Sequence, residues 1–189
     1  MPRRFLILAC TTAALFLAGP GAAQSNSDPD AQWGAHAGVV TGPDVDGARA
    51  SAGFHWRPRF TGALGLELSA GYERLTFVSG ARRVDADHVP VEGSLLFFFL
   101  TSRRVQPYLL AGIGYHWVNP YGAGFSNGTP FASQNLFAVH GGTGVDVRAG
   151  ERLSFWLDGR WTSLAVDAVT DLGLKSDTIT VSAGVNLFF

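Results

Sequence analysis

Thr178-Ile179-Thr180-Val181-Ser182-Ala183-Gly184-Val185-Asn186-Leu187-Phe188-Phe189 is the stretch that decides the fold. Ile179, Val181, Ala183, Val185, Leu187 and Phe189 take every second position. Thr178, Thr180, Ser182, Gly184, Asn186 and Phe188 stand between them. A period of two sends successive side chains to opposite faces of an extended strand. This segment is therefore a β-strand with one apolar face and one mostly small or polar face.

The same frame runs upstream. Alternating segments fall at about 31–40, 48–57, 62–78, 88–100, 106–118, 134–148, 153–166 and 177–189, separated by clusters of Gly, Pro, Asp, Asn and Ser. In the fifth segment Leu109, Ala111, Ile113, Tyr115 and Trp117 face Tyr108, Leu110, Gly112, Gly114 and His116 across the strand. Across all eight segments the apolar face carries no charged residue.

Composition narrows the class. The chain has 189 residues, 47% hydrophobic and 15% charged, with mean hydropathy +0.15. A soluble domain carries about 25% charged residues. The low charge points to a membrane, yet the longest apolar run after residue 23 is Leu95–Leu100. A spanning helix needs about 20 apolar residues, so a helical membrane bundle is excluded. With 12% aromatics, disorder is excluded too. The length suits one domain.

Residues 1–23 have the form of a secretory signal peptide: Arg3 and Arg4, an apolar Phe5–Ala18, a Gly19-Pro20 break, and small residues at Gly21-Ala22-Ala23. Cleavage is expected after Ala23, leaving a periplasmic leader at 24–30 and the barrel at 31–189. Cys10, the only cysteine, lies in that signal. The mature chain is then free of disulfides and cysteine metal sites. Its slight acidic excess gives no footprint for nucleic acid.

Alternation alone leaves open which face points inward, and four features choose. Glycines crowd the polar face, at 34, 38, 53, 65, 71, 112, 114, 142, 144 and 184. They weaken a solvated strand but make room inside a narrow barrel. Lysine is missing from that face, although solvated edges favour it. Aromatics gather at both ends of the apolar face. Trp33, Trp56, Phe97, Phe99, Phe155 and Phe189 lie at one end, and Tyr72, Tyr115, Trp117, Phe137 and Trp161 toward the other. Short connections (57–61, 101–105, 149–152) alternate with longer ones (41–47, 79–87, 119–133, 167–176). The predicted fold is an all-β, eight-stranded antiparallel up-and-down transmembrane β-barrel, with the strands at 31–40 and 177–189 closing it.

Two motifs resemble the small outer-membrane β-barrel family of the OmpA/OmpX type. One is the final strand ending in Phe189. The other is Val105-Gln106-Pro107-Tyr108-Leu109-Leu110-Ala111-Gly112-Ile113-Gly114-Tyr115, similar to a Pro-Tyr…Gly-x-Gly-Tyr strand common in these barrels. The resemblance covers nearly all of residues 31–189. It implies a bacterial outer-membrane location and contact with lipid and lipopolysaccharide. It also implies delivery to the outer-membrane assembly machinery through the Phe189 strand. A monomer is expected.

The inward face carries Arg49, Arg57, Glu67, Glu73, Glu92, Asp146, Arg148, Asp158 and Arg160, with His36, His55, His116 and His140. Buried charges must be paired, so a lumen packed with ion pairs is expected. Hairpin centres place Glu73 opposite Glu92 near Arg49, and Arg160 between Gly142 and Gly184. His116, His140 and Glu92 form a candidate Zn²⁺-binding or pH-responsive group, weighed against ordinary lumen hydrogen bonding. No His is followed by Ser two residues on, the pattern of a lipid A deacylase, and the expectation is a non-enzyme without cofactor. The Gly42–Gly47 and Asp167–Asp177 loops are acidic, and Tyr121–Gly128 is rich in Gly and aromatics. Loop aspartates are more often turn formers than ligands. Arg57, Arg59, Arg103, Arg104 and Arg152 are expected to solvate the short turns.

A structural role, in envelope integrity or surface interaction, is the expected function. An OmpW-like barrel that takes a small apolar ligand is the alternative. Leu96, Phe98, Leu110 and Trp156 would line its pocket; packing is the plainer account of them.

Overall fold

The computed structural model describes residues 31–79, 82–100, 103–121, 133–164 and 177–188. The predicted signal peptide, the leader, Phe189 and most of the two longest connections lie outside these residues. Eight antiparallel strands close into one barrel in sequence order: β1 (Ala31–Thr41), β2 (Arg49–Pro58), β3 (Leu64–Ser79), β4 (Arg82–Phe98), β5 (Val105–Tyr121), β6 (Gln134–Arg148), β7 (Leu153–Leu164) and β8 (Asp177–Phe188). β1 pairs with β8 from Gln32↔Phe188 to Thr41↔Ile179. Every strand thus has two neighbours and no edge is left.

The apolar face points outward. Leu95 is 65% exposed and Phe54 61%, and Ile113, Leu157 and Val181 are exposed beside them. The polar face points inward, where Gln32, Glu67, Asp146, Ser154 and Asn186 have no exposed surface. Both aromatic ends expected from the sequence are present among the described residues. Trp33 stacks near Trp56, and Phe97 meets Phe99 edge-on; at the opposite end Tyr115 meets Trp117 edge-on.

Two details differ from the sequence expectation. Residues 82–87 of the expected 79–87 loop are strand. β3 and β4 stay paired out to Ser79↔Arg82, passing through Arg74↔Asp87 and Thr76↔Asp85. The run Arg82-Arg83-Val84-Asp85-Ala86-Asp87 looks like turn chemistry because the two faces exchange polarity there. Outside stand Arg74, Arg83 and Asp87, with Arg74 Nε 3.3 Å from Asp87 Oδ1. Inside stand Leu75 and Ala86, both buried. Beyond Tyr72 and Trp117 the barrel wall is built like a soluble protein.

Moving that turn moves the register. Glu73 faces His88 rather than Glu92, and Glu92 faces Ser69. Arg49 pairs instead with Asp46, at 3.4 Å. Arg160 does face Gly142, but its partner on β8 is Thr180; Gly184 faces Trp156.

The connection 42–48 folds back onto β3. Asp46 N donates to Thr76 O at 2.8 Å and Val78 N to Asp44 O at 2.8 Å. Gly47, at φ 72°, makes the left-handed turn that returns the chain to β2.

Candidate functional site

Inward residues sort into four layers along the barrel axis. At the short-turn end Leu96, Phe98, Tyr108 and Leu110 form a buried cluster. Trp156 is also buried, under the Arg57 guanidinium at 4.5 Å. These residues pack; they do not line an open pocket at the long-loop rim, so the apolar-ligand expectation loses its residues. Arg57 and Arg59 do not solvate a turn either. Both are buried: Arg59 Nη2 donates to Gln106 Oε1 at 2.7 Å and its guanidinium lies 3.9 Å from the Phe98 ring centroid. The β2 parity, continued one residue past Pro58 to Arg59, turns them inward, and a polar lumen accepts them.

An ionic network crosses the middle. Arg57 Nε donates to Glu67 Oε2 at 2.5 Å, and Arg160 Nη1 forms an ion pair with Glu67 Oε1 at 2.7 Å. Arg160 Nη2 also holds Asp158 Oδ2 at 2.8 Å, and Tyr108 donates its hydroxyl proton to the same oxygen at 3.2 Å. A single carboxylate, Glu67, thus bridges two guanidinium groups. Alongside, Asn186 Nδ2 donates to Asp146 Oδ2 at 3.0 Å, and its carbonyl oxygen lies 2.7 Å from His55 Nε2. The expected ion-paired interior is present. Arg148, one of its predicted members, stacks over the Phe188 ring at 4.7 Å.

Above this network lies a polar cavity of about 50 Å³, room for a few waters. His36, Glu73, His88, Glu92, His116 and Arg160 line it together with serine and threonine hydroxyls. His116 and His140 do converge on Glu92 as expected: their Nε2 and Nδ1 lie 3.4 Å and 3.7 Å from Glu92 Oε1. Among the described residues no group of three or more His, Cys, Asp or Glu is arranged to hold a metal ion. His88 belongs to the same group. Its Nδ1 lies 2.9 Å from Glu73 Oε2 and its Nε2 2.8 Å from His116 Nδ1. Extending the β4 frame one step past Pro90 would have placed it inside.

Ser94, His140 and Glu92 stand in the order of a hydrolytic relay, with Ser94 Oγ 2.7 Å from His140 Nε2. Ser94 is 1% exposed, however, and does not line the cavity. A carbonyl carbon would have to reach its Oγ for acyl transfer, and the packed wall leaves no approach. The hydroxyl instead satisfies a buried imidazole.

Toward the long-loop end the inward face is apolar. Val40, Val45 and Leu75 form one cluster; Ala86, Val118 and Leu136 form another; Phe77 packs against both.

No protein-family model matches the chain, and no curated protein sequence matches it. Solved structures do. Neisserial surface protein A (NspA) is similar over 85% of this chain and 96% of its own, at 16% identity and TM-score 0.63. The outer membrane protein OprG from Pseudomonas aeruginosa aligns over 85% and 96%, at 17% identity and TM-score 0.57. Ail, the attachment invasion locus protein of Yersinia pestis, aligns over 86% and 100%, at 17% identity and TM-score 0.56. Its closed strand order, its outward apolar face and these likenesses give the chain the fold of the small eight-stranded outer-membrane β-barrels.

Proposed function

We infer that this chain is an outer-membrane barrel with a structural or surface-interaction role, its lumen filled by side chains and without catalysis. The outward belt carries the reading. Leu, Ile, Val and Phe residues stand exposed right around the barrel, bounded by Trp33 and Phe99 at one end and Tyr72 and Trp117 at the other. Soluble proteins rarely expose apolar patches beyond a few hundred Å². A lipid core flanked by interfacial aromatics accommodates such a belt. The short turns would face the periplasm. The lumen supports the passive role, because the Glu67–Arg57–Arg160 network and the Leu96–Phe98–Tyr108–Leu110 cluster occupy the section through which a solute would pass.

Lipid and the lipopolysaccharide leaflet are the proposed partners of the belt. The assembly machinery is the proposed reader of the final strand and Phe189. Above the belt, the Arg74–Asp87 and Arg83–Asp46 pairs, at 3.3 Å and 3.0 Å, offer polar surface to headgroups.

Fractionation of cells carrying the full chain tests the location. The protein should sediment with outer membranes and run differently on gels before and after boiling. Recovery in the soluble fraction, with no heat-dependent mobility, would overturn the reading. Ser94→Ala should leave the barrel's assembly and any cellular phenotype unchanged; loss of a hydrolytic activity would reinstate the enzyme alternative.

A further inference from the structure

Three gaps link Glu73, His88, His116 and Glu92 in one row. The first is Glu73 Oε2 to His88 Nδ1, 2.9 Å; the second is His88 Nε2 to His116 Nδ1, 2.8 Å; the third is His116 Nε2 to Glu92 Oε1, 3.4 Å. Each gap needs one hydrogen to be attractive. Carboxylates supply none when ionised, and a neutral imidazole supplies one. Two neutral imidazoles therefore fill two of the three gaps. Glu73 accepts from His88 Nδ1. That leaves Nε2 of His88 as an acceptor, so His116 must donate from Nδ1. Nε2 of His116 then faces the Glu92 carboxylate lone pair to lone pair.

The geometry matches this count. The two filled gaps are at hydrogen-bond length, and the third is the longest. His116 Nε2 is buried, with no hydrogen-bond partner. The residue is 2% exposed, so bulk water does not satisfy it. The row is one proton short.

We propose that this row is a one-proton binding site, filled at His116 Nε2. With that proton, His116 donates from both nitrogens, to His88 Nε2 and to Glu92 Oε1. β3, β4 and β5 are then tied together across the cavity by an unbroken row of hydrogen bonds. Among the imidazole nitrogens of the row, a second proton has only His88 Nε2 to occupy. Both facing nitrogens would then be donors, and the His88–His116 bond must break. The site tightens on the first proton and parts on the second, a two-step sensor set in the outer half of the barrel.

Other charged groups bear on it. Arg160 Nη1, from β7, lies 3.5 Å from Glu92 Oε2 and competes for that carboxylate. His140 Nδ1, from β6, approaches Glu92 Oε1 at 3.7 Å. Its other nitrogen meets Ser94, whose hydroxyl can donate, so Nδ1 can carry the imidazole hydrogen toward Glu92, although at this distance it makes no hydrogen bond. His36, from β1, lines the cavity and stacks on His55 at 5.9 Å instead. On the outer face Asp87 is taken by Arg74 and Tyr72.

The test is ¹⁵N NMR of imidazole-labelled full-length protein, refolded in detergent micelles and titrated with acid. His88 should carry hydrogen on Nδ1 throughout. His116 should carry hydrogen on Nδ1 alone, then on both nitrogens after the first step. The nitrogen–nitrogen coupling across the His88–His116 bond should survive that step and vanish at the second. In Glu92→Gln the separate first step should be lost while the His88–His116 coupling remains. Independent titration of the two imidazoles, or absence of the coupling, would overturn the proposal. If Glu92→Gln does not fold, the wild-type spectra decide alone.

Discussion

Glu67 is the residue on which the buried charge balance turns. It has no exposed surface and faces two arginines. Removing one partner of a buried pair leaves uncompensated charge and costs about 3–5 kcal/mol. Glu67→Ala should therefore lower unfolding free energy by that amount, measured by urea denaturation in lipid vesicles. Arg160→Met combined with Glu67→Gln should cost less than the sum of the single changes, because it removes charge in matched pairs. Gly144 is a second sensitive position. It faces Tyr108 on β5 and Asp158 on β7. A Cβ there would lie 2.5 Å from the Tyr108 hydroxyl oxygen and 2.7 Å from Asp158 Cβ. Gly144→Ala should destabilise by about 1–3 kcal/mol, the usual cost of overpacking, and weaken the Tyr108–Asp158 bond. Residue parity told from sequence alone that Glu67, Arg57, Asp158 and Arg160 point inward. It did not tell which of them meet, because pairing depends on depth as well as face.

At the scale of the strand, the alternation was legible because lipid and lumen enforce opposite chemistries on neighbouring residues. β6, whose limits follow the sequence pattern closely, is such a case. β4 is the opposite case. Its outer third keeps the period of two but reverses which face is apolar, so Arg83, Asp85 and Asp87 imitated a loop. Placing the turn a few residues late shifted every β3 partner and hid the Glu73–His88 pair. The reversal has a measurable signature. Ile113→Arg, in the middle of the belt, should cost about 2–4 kcal/mol, whereas Asp87→Arg beyond the aromatics should cost about 0–1. Equilibrium unfolding of the two variants in the same vesicles checks this. Equal costs would place both positions at one depth.

For the whole molecule, closure is the dominant fact. In lipid each unpaired backbone polar group costs several kcal/mol, and the β1–β8 ladder leaves none along the wall it seals. An eight-stranded barrel encloses room for side chains or one small ligand, and among the described residues side chains pack the lumen around a small cavity. Planar bilayers containing the purified protein should accordingly show no steady single-channel conductance. Stable channel steps would mean that the ionic network yields. Fold and closure followed from the terminal strand's pattern and its repetition. The cavity did not, since it arises where Gly71, hydroxyls and short side chains from several strands happen to fall at one height.

The outward charges beyond Tyr72 and Trp117 have a consequence for how such a barrel reaches its place. On the proposed outer-membrane placement, Arg74, Arg83, Asp85, Asp87 and Asp46 end on the far side, so the hydrocarbon would have to be crossed with them aboard. Arriving with β3 and β4 already zipped, so that Arg74 meets Asp87, and with the 42–48 connection docked on them, so that Arg83 meets Asp46, would lower that barrier by cancelling charge in transit. The same collar then opposes return: backing out would drag it through lipid again. On the proposed outer-membrane placement, such a barbed rim would make the orientation of the seated barrel kinetically one-way.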